Sequence, residues 1–122
     1  MKHVLVYITA ADRKAARRLA TTLLRERLIA CANLVGPIEA HYWWQGKMET
    51  ARECLLLAKT RAALAKKVIA RVKELHSYET PCIVTLPLTA GDPDFLKWIE
   101  KETQPPRRKV SRGRARRANR TG

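Results

Sequence analysis

"IACANLVGPIEAHYWWQGKMETARECLLLAK", residues 29–59, holds two extended runs separated by Gln45-Gly46, where a glycine can take the positive φ that a tight reversal requires. The stretch reads as a β-hairpin. Gly36-Pro37 interrupts its first arm. Proline donates no ladder hydrogen bond, so that arm is expected to be bulged or bent and to lie at a sheet edge. Arms of about twelve residues reach roughly 40 Å at about 3.3 Å per residue, more than the roughly 30 Å of a small domain. The tip must therefore project. It carries Tyr42, Trp43 and Trp44. Neighbouring strand residues point to opposite faces, so both tryptophans cannot bury against their own chain's helices. A second subunit is the simplest cover, which makes these three residues candidates for an inter-subunit contact.

Outward from the hairpin, "HVLVYITA" (3–10) is a β-branched run expected to form a central strand buried on both faces. Asp12 is placed to cap the next helix, in which Ala16, Leu19, Ala20, Leu23 and Leu24 recur at helical spacing, while Arg13, Lys14, Arg17, Arg18 and Arg25 take the wet face. After the hairpin, Thr60 is the expected cap of a second helix with Leu64, Val68, Val72 and Leu75 on its apolar stripe, ending near His76. "PCIVTLPL" (81–88) is a fourth strand. Asp92-Pro93 then opens a short helix with Phe95, Trp98 and Ile99 inward. The order β-α-β-β-α-β plus a C-terminal helix predicts an α+β, ferredoxin-like fold with two helices on one face of a mostly antiparallel sheet.

A chain of 122 residues is one domain by length and can build a core without disulfides or structural metal. No secretory pattern and no bilayer-length apolar run is evident. Cys31, Cys54 and Cys82 are an odd number of widely spaced cysteines among apolar neighbours, which suits reduced thiols and a cytoplasmic location. The net charge of +14 is lopsided: residues 104–122 carry eight cations and no acid, leaving +6 on residues 1–103. The fold is accordingly expected in 1–103, with 104–122 a disordered basic tail. Arg107, Arg108, Lys109, Arg112, Arg114, Arg116, Arg117 and Arg120 suit non-specific polyanion contact there, or serve solubility alone.

Four short stretches stand in order along the chain: "ACANL", "YWWQGK", "KT" and "HSYETP". Together, across residues 3–103, they resemble the CutA family of divalent-cation tolerance proteins. The resemblance implies a ferredoxin-like homotrimer linked to tolerance of copper and other divalent metals, similar in architecture to the trimeric PII signalling proteins. The family's A-C-x-N stretch falls on Cys31 and Asn33, its aromatic turn on Tyr42, Trp44, Gly46 and Lys47, and its strand-closing lysine on Lys59. Its H-P-Y-E stretch falls on His76, Tyr78 and Glu79, with Ser77 in place of the usual proline.

Each of these residues also has a plain structural reading. Cys31 suits a soft thiolate ligand for copper or equally a small buried hydrophobe. His76 suits a second ligand, a proton shuttle, or a partner for the last carbonyls of its helix. Lys59, Tyr78 and Glu79 suit a polar cleft or a subunit salt bridge. Catalysis finds no phosphate loop, Cys-x-x-Cys, His-x-x-x-His or nucleophile elbow. The leading expectation is a non-enzymatic homotrimer that binds or responds to copper or another divalent metal through Cys31 and His76. Its rival is a trimeric sensor whose cleft, lined by Lys59, His76, Tyr78 and Glu79, takes a small anion.

Overall fold

A computed structural model of the chain describes residues 2–105. The eight tail cations, and the expectation of disorder there, lie outside the described residues. The elements are β1 (His3–Ala10), α1 (Arg13–Arg25), β2 (Cys31–Trp44), β3 (Lys47–Arg61), a 3-10 turn (Ala62–Leu64), α2 (Ala65–Leu75), β4 (Ile83–Pro87) and α3 (Pro93–Glu102). The strands form one sheet in the order β2-β3-β1-β4, every neighbouring pair antiparallel. This is the α+β, ferredoxin-like arrangement expected.

Side-chain alternation divides the sheet. Val4, Val6, Ile8 and Ala10 of β1 and Cys54, Leu56 and Ala58 of β3 point to one face, where they meet Ala16, Leu19, Ala20 and Leu23 of α1 and Val68 and Val72 of α2. That layer is the core. Asp12 caps α1 as expected, its Oδ1 accepting from the Ala15 amide at 2.8 Å. Leu24, expected on the apolar stripe, is exposed, because the stripe is already filled by residues 16, 19, 20 and 23.

The expectation that β1 is buried on both faces does not hold within one chain. Leu5, Tyr7 and Thr9 point away from α1 and α2 and are only half-buried. Leu5 and Tyr7 share that second face with Leu55 and Leu57 of β3, Val35 of β2, and Val84 and Leu86 of β4, their register partners or neighbours. Val35, Val84 and Leu86 are 45–50% exposed. Only one end is covered, by α3: His3 Nε2 lies 2.7 Å from Glu100 Oε2, and the Arg61 guanidinium donates to the Thr103 hydroxyl and carbonyl at 2.9 and 3.0 Å.

Two further expectations change. Thr60 does not cap a helix; it ends inside β3, fully buried, and its hydroxyl donates to the Leu28 carbonyl at 2.7 Å. The 3-10 turn intervenes before α2, which starts without a side-chain cap. In α3, Asp92 caps and Pro93 opens the helix, but of the three residues expected inward only Ile99 is buried. Phe95 and Trp98 stack on each other, 5.5 Å between centroids, and stay about 40% exposed because a ten-residue helix lying across a sheet end buries one narrow stripe.

The hairpin is as expected. Register shifts between Val35 and Ile38, where Gly36-Pro37 interrupts edge strand β2, and the tip reverses at Gln45 (φ 50°) and Gly46 (φ 82°). Every residue from 41 to 50 is exposed, Trp43 at 71% and Trp44 at 41%.

Candidate functional site

α2 ends at Leu75, and His76 leaves the helix in an extended conformation, its amide still bonded to the Val72 carbonyl. The ring does not reach back to its own helix. Its Nε2 lies 2.7 Å from the Thr9 carbonyl oxygen on β1, and its Nδ1 accepts from the Tyr78 amide at 3.1 Å. A carbonyl can only accept, so Nε2 carries the proton and both nitrogens are engaged. His76 thus pins the start of the 76–82 segment to the end of β1 and aims Tyr78, whose ring packs on the imidazole with centroids 4.7 Å apart.

Tyr78 reaches across to the hairpin base and donates its hydroxyl to Glu53 Oε2 at 3.0 Å. Burial first, then this hydrogen bond and the Glu53 charge, push the Tyr78 phenol up to about 12. A folded value above the usual 10 means that the stabilisation is complete below pH 10 and is lost as pH rises from about 10 to 12. The tyrosinate absorbance of the protein minus that of Tyr78→Phe should therefore rise at about pH 12; a difference rising near pH 10 would remove the Glu53 contact from the account.

Between the hairpin and the 76–82 segment runs a cleft of about 850 Å³. Tyr7, Glu39, Trp44, Glu53, Tyr78 and Glu79 are among its lining residues. Glu53 is 8% exposed, and sequence reasoning missed it. The available signal was a glutamate set directly before the apolar run Cys54–Ala58.

Lys59 does not join this cleft. It stands opposite Leu5 and Cys31 in the ladder, four positions from the Thr9 row, roughly 13 Å at about 3.3 Å per residue. There its ammonium lies 4.0 Å from Cys31 Sγ, 3.3 Å from Asn33 Oδ1 and 6.0 Å from the Phe95 ring centroid. Cys31 and His76 are therefore at opposite ends of the sheet in one chain. Cys54 is buried, as expected for a packing thiol, whereas Cys82 is exposed at the cleft rim because it precedes β4 rather than lying within it. Among the described residues, no group of three His, Cys, Asp or Glu side chains could hold a metal ion. A closed metal site within one chain does not fit these residues.

With the geometry in place, the likeness to known proteins is informative. The family described as "CutA1 divalent ion tolerance protein" matches residues 4–102. The chain is 43% identical to the divalent-cation tolerance protein CutA of Pyrococcus horikoshii, over 83% of this chain and 98% of that one. It is 39% identical to the chloroplastic CutA 1 of Oryza sativa, covering 83% of this chain but 57% of the rice protein's length. The solved structure of a CutA from Archaeoglobus fulgidus, described as periplasmic, superposes with a TM-score of 0.81 at 41% identity, covering 84% and 99% of the two chains.

Proposed function

The chain belongs to the CutA1 divalent ion tolerance protein family, and from that membership we propose a non-catalytic, metal-responsive homotrimer of the reducing cytoplasm whose preferred ion is copper, met by Cys31. The observation that carries this reading is the position of Cys31: a half-buried thiol on edge strand β2, on the sheet face that α1 and α2 leave uncovered. A soft sulfur suits Cu(I), and one chain brings no second soft ligand beside it. The uncovered apolar face and the projecting aromatic tip support assembly, since contiguous apolar surface of this kind favours a partner. A second copy packed there would bring its own donors near Cys31.

The geometry favours Cys31 over His76 as a ligand. For His76 to bind metal it must give up a 2.7 Å hydrogen bond to Thr9 or release the Tyr78 amide. The anion-sensor reading loses its cation, because Lys59 lies at the other end of the sheet from Tyr78 and Glu79. Non-specific polyanion contact by the tail cations remains part of the reading on charge alone.

Copper titration of the full-length protein, with X-ray absorption reporting sulfur or nitrogen ligation, tests the assignment. Cys31→Ser should abolish the sulfur signal and weaken binding roughly tenfold or more, a loss of at least about 1.4 kcal/mol. His76→Ala should leave stoichiometry unchanged. Undiminished sulfur ligation in Cys31→Ser would overturn the reading.

A further inference from the structure

We propose that the cleft between the hairpin and residues 76–82 binds a small organic cation, an ammonium group on a short apolar body, with Glu53 as its charge partner. This goes beyond the metal reading, whose thiol lies at the other end of the sheet.

Three observations converge on a cationic ligand. The chain carries a net charge of +14, yet no lysine or arginine lines this cleft. Three carboxylates do, Glu39, Glu53 and Glu79, and the one basic ring, His41, lies 2.6 Å from Glu39. Glu53 is the informative one. It is 8% exposed; one oxygen accepts from the neutral Tyr78 hydroxyl, and the other has no hydrogen-bond partner and no cation within reach among the described residues. Buried carboxylates are ordinarily paired, because an uncompensated charge in a low-dielectric site is costly. An incoming cation would supply the missing partner.

The walls indicate which kind of cation. No three ligating side chains converge for a bare metal ion. Tyr7, Tyr42, Trp44 and Tyr78 instead line the cleft, and aromatic faces attract organic cations through the ring quadrupole while packing on their apolar part. About 850 Å³ falls within the range of roughly 300–1,000 Å³ common for small-molecule sites. Tyr78, fixed by the His76 bonds to Thr9 and to its own amide, holds Glu53 in position and acts as a positioning residue. Glu39 and Glu79 at the exposed rim suit a second charge, so a diamine is the apt probe.

Calorimetric titration of full-length protein with 1,4-diaminobutane should give saturable binding, one per chain, with a change in tryptophan fluorescence. Butane-1,4-diol, equal in length but neutral, should bind at least about tenfold more weakly, a difference of about 1.4 kcal/mol. Glu53→Gln keeps an acceptor for the Tyr78 hydroxyl and removes the charge, so it should lose diamine affinity by a similar factor with its circular dichroism unchanged. If that variant misfolds, the rim pair Glu39→Gln, Glu79→Gln should weaken the diamine and flatten its salt dependence. Cys31→Ser should leave diamine binding intact, which separates this site from the metal reading. Absence of saturable diamine binding, equal affinity for the diol, undiminished binding by whichever carboxylate variant folds, or displacement of the diamine by stoichiometric copper would each overturn the proposal. A second copy's own lysine or arginine filling the cleft would show as the first of these.

Discussion

Leu57→Asp should reduce the assembly from three chains to one while leaving the fold of the monomer intact. Leu57 sits mid-strand in β3 on the sheet face turned away from α1 and α2, opposite Tyr7 and Asn33 in the ladder. In an isolated chain that face is wet, so a carboxylate there meets solvent and costs little. In an assembly built on the same face, every copy must bury that carboxylate unpaired, at several kcal/mol each by the general cost of desolvating charge. Light scattering should give the single-chain mass, and far-ultraviolet circular dichroism should keep its sheet and helix content. A Leu57→Asp protein that still runs at three chains would place the interface elsewhere, with the hairpin tip the next candidate. Trp44→Ala should then weaken assembly more than Lys66→Ala, since Lys66 is an exposed α2 residue.

One residue earlier in the same strand, Leu56→Ala should act on the fold itself. Leu56 is fully buried, paired with Ile8 across β1 and enclosed by the α1 and α2 stripes. Truncation leaves a cavity under two helices that a central strand cannot close by shifting, so the loss should fall in the range of roughly 2–5 kcal/mol seen for buried leucines. At about 4–8 °C per kcal/mol for a domain of this size, the melting temperature should drop by ten degrees or more, compared at equal protein concentration because assembly contributes by mass action. A shift of only a few degrees would mean that Leu56 is not the core position its burial indicates. The pair 56 and 57 thus separates folding from assembly by one step of the pleat.

The strand and helix order, the hairpin with its bulge and turn, and the caps at Asp12 and Asp92 were legible in the sequence. Each is set by interactions within a few residues: alternation or helical period, a proline that breaks a ladder, a carboxylate one turn from a free amide. The misreadings share one cause. Thr60 has the composition of a helix cap but is drawn into β3, where its hydroxyl satisfies the Leu28 carbonyl 32 residues away. Phe95 and Trp98 have the spacing of core residues but stay exposed, because α3 has only a sheet end to lie on.

At the site, the sequence supplied His76, Tyr78 and Glu79 as neighbours and Lys59 and Cys31 as family matches. Tertiary structure alone decided which of them meet. Antiparallel register sends Lys59 and Cys31 to one end of the sheet and brings Glu53, 25 residues before Tyr78, within 3.0 Å of its hydroxyl at the other. Local chemistry therefore determined which elements form. Long-range register and the covering of only one sheet face determined that a thiol stands beside an ammonium, that the histidine has both nitrogens occupied, and that a carboxylate is buried without a cation.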